Sequence, residues 1–155
     1  MTDHYQAPQS DVDAKSQEII YVGFWARVAA SIIDTIIIMA VTMPLLLAIY
    51  GKEYLLGDSF IHGAADFLIS YILPAVAVIL FWIYKSATPG KMAINAEIVD
   101  AKTFGKPSKA QLIGRYLGYY VSMIPLMLGI IWVAFDARKQ GWHDKLAGTV
   151  VIQKR

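Results

Sequence analysis

The 155-residue sequence contains no cysteine. This absence excludes disulfides, thiolate metal sites and cysteine nucleophiles, and it does not choose a redox compartment. Charge is also scarce, because only 17% of the residues are Asp, Glu, Lys or Arg while 57% are hydrophobic. A soluble domain of this length would carry more charge, so the composition is typical of an integral membrane protein. The formal net charge of +2 gives no indication of nucleic-acid binding.

The first residues lack the basic region and short apolar core of a cleaved signal peptide. Residues 1–18 are polar, contain Pro8 and show no apolar periodicity. We therefore predict a disordered polar N-terminal tail over residues 1–18, followed by a single transmembrane domain over residues 19–155.

Two long apolar runs predict membrane-spanning helices. Val28–Ile49 contains one ionisable residue, Asp34, and about 20 apolar residues are enough to cross a bilayer as a helix. Phe67–Tyr84 is just long enough for a second span, and the aromatic residues at its end suit the headgroup region. Between the two runs, Tyr50–Ala65 is rich in glycine and charge and is predicted to be an exposed loop.

A third apolar stretch, residues 112–135, leaves two arrangements open. A single crossing is the default for a stretch of this length. However, Lys85–Arg115 and the C-terminal tail are both rich in lysine and arginine, and the positive-inside rule places both in the cytoplasm. Two half-helices broken near Pro125 would form a re-entrant hairpin and satisfy that rule, so we favour the hairpin. The N-terminal tail is then also cytoplasmic, in a multi-pass protein of the inner or plasma membrane.

The polar segments predict a small β element. Apolar residues alternate over Met92–Val99, as in a half-buried strand, and Thr149–Gln153 is a second strand candidate that a hairpin would bring alongside it. Ala87–Lys91 is predicted to be a turn, and Ser108–Gln111 fits a capping box that starts a helix near Lys109. The predicted fold class is an all-α membrane protein with two full transmembrane helices, a third apolar segment and a cytoplasmic two-stranded sheet.

The first helix carries a stripe of small and polar residues on one face. Arg27, Ala30, Ser31, Asp34 and Thr35 recur at helical spacing. This face should contact protein or a wet cavity and leave the neighbouring isoleucines to lipid. A carboxylate within a span costs at least about 2.5 kcal/mol unless it is paired, hydrated or protonated. Asp34 therefore needs a partner, or it binds a cation or proton with Ser31 and Thr35 as oxygen ligands.

Two segments of the chain, Gly23–Asp34 (GFWARVAASIID) and Gly141–Val151 (GWHDKLAGTVV), resemble the RDD family. The resemblance covers about residues 22–153 and maps the arginine and the two aspartates of the family name onto Arg27, Asp34 and Asp144. The Thr-Pro-Gly-Lys-Met turn and Arg115 are also similar to family features. Transport, including cation/proton exchange, has been proposed for this family, but its biochemical role is poorly settled. The resemblance therefore implies more about fold than about substrate.

Two functions follow as expectations. The first is a small transporter, such as a cation/proton exchanger that uses Asp34, working as a homo-oligomer because two or three helices enclose little space. The second is a non-transporting membrane adaptor in which the charged residues hold helices together. The resemblance suggests that Arg27 at the membrane entry pairs with Asp144, and a pair between Arg27 and Asp34 is the open alternative. The partners expected are the lipid bilayer and, for the transporter, monovalent cations and protons.

Enzyme activity, a cofactor and a metal site are not expected from the sequence. His143 and Asp144 are adjacent, but adjacent residues rarely chelate one ion together, and no placed nucleophile accompanies them. We therefore predict supporting roles for His143 and for Arg115. Lipid binding by Lys85, Lys91 and Arg115 is a lesser alternative, because basic residues at a cytoplasmic face attract anionic headgroups in general.

Overall fold

The first predicted span is confirmed as one long helix. The computed structural model describes residues 18–154, so residues 1–17 of the predicted tail lie outside the described residues. Helix α1, Phe24–Tyr50, has 27 residues and continues through Pro44. At 1.5 Å per residue it is about 40 Å long, whereas a bilayer core needs only about 30 Å. Roughly two turns of α1 are therefore available for packing against elements outside the membrane core.

The second predicted span is a continuous helical run, Ala64–Lys85, of 22 residues. It consists of α3 (Ala64–Phe67), a π-helical turn (Leu68–Ile72) and α4 (Leu73–Lys85). Pro74 lies inside this run, directly after the π-helical turn, and it cannot donate the backbone hydrogen bond that would continue the helix there. The predicted loop between the spans is not wholly irregular, because Glu53–Leu56 form the short helix α2.

The third apolar segment is broken, as the favoured arrangement requires. Helix α6 (Lys109–Met123) starts at the predicted capping box, and α7 (Leu128–Ile131) runs into a 3-10 turn at Trp132–Ala134. The two halves are bent by 113°. Between them Pro125 cannot donate a backbone hydrogen bond, and the next two residues, Leu126 and Met127, have positive φ angles of 53° and 61°.

The small sheet shows that the third segment turns back. Strand β1 (Ala96–Asp100) pairs antiparallel with β2 (Thr149–Gln153), with Ile98 opposite Val151. Because β1 precedes α6 and β2 follows α7 and the short helix α8 (Trp142–Ala147), both ends of the broken segment lie at one end of the molecule. We call this the sheet end, and the opposite end, where α1 connects to α3, the loop end.

One strand prediction is partly wrong. The alternation over Met92–Val99 is a strand only from Ala96 onwards, because Pro89–Ala93 form the helix α5. The predicted turn at Ala87–Lys91 is instead the start of that helix. Thr88 caps it by accepting a hydrogen bond from the Lys91 backbone N–H at 3.4 Å, and Pro89 presets the first helical φ angle.

The apolar core lies at the sheet end. Its buried members come from the segment before α1, from α4, both strands and α6, and are Val22, Trp82, Ala96, Ile98, Leu112 and Val151. The segment before α1 joins the sheet, since the Val22 N–H donates to the Val151 carbonyl at 3.0 Å. Elements remote in sequence are thus packed around the segment that leads into α1.

Candidate functional site

Asp34 does have a partner, which is the N-terminus of α5. One carboxylate oxygen accepts a hydrogen bond from the Thr88 hydroxyl at 2.5 Å, and the other accepts one from the Gly90 N–H at 2.7 Å. Both donors belong to the first turn of a helix, where a carboxylate is electrostatically favoured. Asp34 therefore ties α1 to α5 through two charge-assisted hydrogen bonds.

Close backbone packing explains the glycine of this contact. A Cβ at Gly90 would collide with the backbone carbonyl of Ala30 and lie 2.9 Å from the Asp34 carboxyl carbon. Ala30 itself is fully buried. In the Thr-Pro-Gly-Lys sequence, Thr88 thus caps the helix, Pro89 presets its first turn, and Gly90 allows close approach to α1. The next residue is Lys91.

Asp144 is the centre of a buried ion cluster. One of its oxygens accepts from Arg27 at 2.7 Å and from the Gly141 N–H at 2.9 Å, while the other oxygen contacts Arg115. Asp144 and Arg115 are both 0% exposed. Burial alone would raise the pKa of the Asp144 carboxyl, but the charges of Arg115 and Arg27 hold it well below its usual range. The pairing of Arg27 with Asp144 is therefore present, and it joins α1, α6 and α8.

Both arginines have further partners in this cluster. Arg27 donates to the carbonyls of Val22 at 3.0 Å and of Lys139 at 2.5 Å. Arg115 donates to the Thr149 hydroxyl at 2.7 Å and lies over the ring of Trp82 at 5.5 Å. The Nε and Nη2 atoms of Arg115 are buried and have no hydrogen-bond partner among the described residues. The cluster thus keeps unused donor capacity.

His143 fixes α8 against α6. Its ring stacks on Tyr119 with the centroids 3.9 Å apart, and its Nδ1 lies 3.4 Å from the Ser122 hydroxyl. That hydroxyl is fully buried and is already used, because it donates to the Gly118 carbonyl and accepts from the His143 N–H. Burial lowers the pKa of His143 to about 3, so the ring is neutral near pH 7. The role that these contacts indicate is packing.

Lys91 is a buried charged residue whose side chain has no partner among the described residues. It is only 7% exposed, and within residues 18–154 its amine makes no hydrogen bond or ion pair. Burial lowers the pKa of the amine, and the nearby charges of Tyr119 and Asp34 oppose that effect while Arg115 adds to it. A buried amine without a partner is costly, so a ligand that supplies a negative charge would be favoured here.

The Lys91 side chain lines a cavity of about 610 Å³ between α1 and the broken hairpin, which we call the lysine groove. Its polar lining consists of Arg27, Ser31, Thr35, Lys91, Tyr119 and His143. Its apolar lining comes from α1 and from the hairpin, and consists of Phe24, Val28, Ile32, Ile36, Leu126, Met127, Ile130, Ile131 and Val133. None of these lining residues is acidic. The groove is therefore apolar along its walls and cationic at the sheet end.

Ser31 and Thr35 lie in this groove, and their hydroxyls form no hydrogen bond with Asp34. Their hydroxyls donate to the α1 carbonyls one turn earlier, those of Arg27 at 2.9 Å and of Ser31 at 2.8 Å. Asp34 instead lines a smaller cleft of about 220 Å³ between α1 and α4. The structure thus separates the three residues that the sequence proposes as one ion site.

Tyr119 was not singled out in the sequence, and Lys91 was considered only together with Lys85 and Arg115, as basic residues that attract anionic headgroups. A signal for Tyr119 was present, because Arg115, Tyr119 and Ser122 recur at i, i+4 and i+7 and so share one face of α6. The burial of Lys91 had no such signal, since its segment was predicted to be a turn. That burial depends on the packing of α5 against α1.

A second polar cluster at the loop end was also missed. The Asp66 carboxylate is buried and accepts hydrogen bonds from the Ser70 hydroxyl at 2.7 Å, the His62 N–H at 2.8 Å and the Tyr54 hydroxyl at 3.1 Å. The Tyr50 hydroxyl in turn accepts from the Asp66 N–H. These bonds fold the connecting segment back onto the end of α1.

Two apolar spans, a bent third segment and a buried ion cluster that joins the first helix to the C-terminal segment define a multi-pass membrane protein. The chain belongs to the RDD family, whose pattern matches residues 21–148. The aspartates and the arginine that the resemblance singled out are Asp34, Asp144 and Arg27, which the structure uses in two different contacts.

Three bacterial relatives cover most of the chain. The uncharacterized protein RP437 of Rickettsia prowazekii is 29% identical, over 88% of this chain and 98% of its own length. The uncharacterized membrane protein YteJ of Bacillus subtilis is 28% identical, over 87% and 82%. The uncharacterized protein YxaI of Bacillus subtilis is 26% identical, over 85% and 97%. No solved structure matches the chain.

Proposed function

We propose that this RDD protein is a small transporter whose substrate site is the lysine groove. The observation that carries the proposal is that the non-helical tip of the hairpin, Leu126 and Met127, lines the same cavity as the polar stripe of α1. Irregular backbone at membrane depth is tolerated where it lines a cavity or is buried in protein. Discontinuous helices of this kind form the substrate sites of many transporters.

A homo-oligomer is part of this proposal. Ile32, Ile36 and Leu126 line the groove but are 55%, 61% and 87% exposed, so one protomer leaves the groove open on the lipid side. A route across the membrane needs walls on every side. A second copy packed beside the groove would supply them.

Cation/proton exchange through Asp34 stays a prediction, and its contacts favour the structural alternative. Both carboxylate oxygens already accept short hydrogen bonds from Thr88 and Gly90. A carrier needs a carboxylate that exchanges with water and ions. The lysine groove, which contains two cationic side chains, does not offer the oxygen-rich surroundings that a hard cation prefers.

A second candidate function is the membrane adaptor. One observation favours it: the arginine and both aspartates of the family motif are used in contacts between elements, at Asp34 with α5 and at Asp144 with α1 and α6. In an adaptor the groove would be a packing surface, and no solute would move.

Transport can be tested in proteoliposomes of the purified chain. Proton flux is followed with a pH-sensitive dye after jumps in sodium, potassium or lithium chloride. Lipid movement is followed by dithionite quenching of a fluorescent phosphatidylglycerol. The groove is blocked by Ser31→Trp, and Met39→Trp is the matched control, because Met39 is a 52% exposed residue of α1 that lines neither cleft.

The proposal expects protein-dependent movement that Ser31→Trp abolishes and Met39→Trp retains. If cation-driven proton flux is instead lost in Asp34→Asn and kept in Ser31→Trp, the site is at Asp34 and the groove assignment is wrong. If sealed vesicles with correctly folded protein move neither protons nor lipid, transport is rejected and the adaptor becomes the better proposal.

A further inference from the structure

The cationic end of the lysine groove has more positive than negative charge. Lys91 and Arg27 line it, and Arg115 lies directly behind, 5.8 Å from the centroid of the Tyr119 ring. The nearest carboxylates are both already hydrogen-bonded, Asp144 by the two arginines and Asp34 by the start of α5. The Lys91 amine is therefore placed to bind an anion.

The walls above this cationic end are apolar and face the lipid side. Val28, Ile32 and Ile36 follow one another along α1, and Leu126 and Ile131 stand opposite on the hairpin. The cavity of about 610 Å³ lies within the size range of small-molecule sites, roughly 300–1,000 Å³. A hydrated inorganic anion would leave these apolar walls uncovered, whereas a hydrocarbon chain would cover them.

We propose that the lysine groove binds an anionic phospholipid of the surrounding bilayer, with Lys91 recognising the headgroup phosphate and the hairpin and α1 holding the acyl chain. This inference rests on the proposed function, because it names the substrate class of the same site.

Charge complementarity favours a lipid over the other occupants of such a groove. Basic pockets between membrane helices recruit anionic headgroups, which the bilayer already presents at that depth. A second copy of this chain would bring mostly apolar helix faces to the groove and would leave the Lys91 amine without an anion. The need of Lys91 for an anion thus favours the lipid over a second copy of the chain.

The experiment is native mass spectrometry of the full chain released from nanodiscs containing equal amounts of phosphatidylglycerol and phosphatidylethanolamine. Lys91→Gln tests the site, and Lys85→Gln is the matched control, because Lys85 is an exposed lysine at the end of α4. The native chain should retain phosphatidylglycerol preferentially. Lys91→Gln should lower that retention by about fivefold or more, whereas Lys85→Gln should not.

Three outcomes would overturn the inference. Equal losses in Lys91→Gln and Lys85→Gln would show general surface attraction. Displacement of the lipid by millimolar inorganic phosphate would show that the site takes a soluble anion. A lipid-free dimer that buries Ser31, detected by crosslinking, would show that a second copy fills the groove.

Failure of this inference is distinguishable from failure of the proposed function. The binding experiment uses no gradient, so retention of phosphatidylglycerol through Lys91 in a chain that moves nothing would reject transport and keep the lipid site. Conversely, transport that Ser31→Trp abolishes, without selective lipid retention, would keep the transporter and reject the lipid.

Discussion

The two ionisable residues on either side of α5, Asp34 and Lys91, differ in whether neighbouring groups form hydrogen bonds with their side chains. On one side the carboxyl group of Asp34 lies within α1, and two short hydrogen bonds from the start of α5 satisfy it. On the other side Lys91 is more deeply buried than Asp34, but its amine has no hydrogen-bond or ion-pair partner among the described residues. The difference teaches that the residue most conspicuous in the sequence, an aspartate within a span, is structurally satisfied.

Asp144 resembles Asp34 in this respect, because its carboxylate also has hydrogen-bond partners. There the carboxylate is shared by two arginines and an N–H group, and it joins three helices. If this comparison is right, substitutions at the satisfied groups should change stability, while substitutions at Lys91 should change binding with little or no loss of stability.

The largest expected effect is that of Asp144→Asn. It leaves Arg27 and Arg115 buried without a carboxylate, and breaking a buried ion pair in this way costs about 3–5 kcal/mol. Thermal unfolding in detergent, followed by fluorescence-detected size exclusion, should show a large loss or no folded protein. Asp58→Asn, at an exposed position of the loop end, is the control and should unfold like the native chain.

The next effect is that of Gly90→Ala, which should separate α5 from α1. Its Cβ meets the rigid backbone carbonyl of Ala30, and overpacking of this kind costs about 1–3 kcal/mol. Gly114→Ala in α6 is the matched control, because a Cβ there meets nothing within 4 Å and alanine favours a helix. Equal unfolding temperatures for the two variants would contradict the close contact between α5 and α1.

His143 should make stability depend on pH. Its pKa is about 3 in the folded chain, against an ordinary 6.5, so below pH 6.5 the unfolded chain binds a proton that the folded chain does not. Stability is therefore present above pH 6.5 and is lost as the pH falls towards 3, by about 2 kcal/mol between pH 7 and pH 5. Unfolding temperatures across that range should fall for the native chain and fall less for His143→Gln.

The smallest expected effect has the opposite sign. Lys91→Met replaces a buried amine that has no partner with an apolar side chain of similar length, so it should stabilise the lipid-free chain by about 1 kcal/mol. Thermal unfolding after delipidation is the measurement, with Lys85→Met as the exposed control. A marked destabilisation would mean that Lys91 makes a structural contact and that the two sides of α5 are alike.

Much of the architecture could be predicted from local sequence. The two spans follow from the length of their apolar runs, the start of α6 from its Ser108–Gln111 capping box, and the break in the third segment from Pro125. These features depend on residues close in the chain. The error at Met92–Val99 arose because a period-two pattern was extended through residues that the Thr88 cap and Pro89 hold in a helix.

Contacts between distant segments decided the rest. By itself the sequence determined that the chain is a membrane protein, where its two spans lie, where α6 begins and the third segment breaks, and that Asp34 needs a partner. Hydrophobicity, capping and burial costs act locally, which is why these features could be predicted. Only the tertiary structure decided that Asp34 forms hydrogen bonds with α5, that Asp144 forms ion pairs with Arg27 and Arg115, and that Lys91 lines the groove. Those pairings join residues 29 to 117 positions apart, and helical spacing shows which face a residue occupies but not what packs against it.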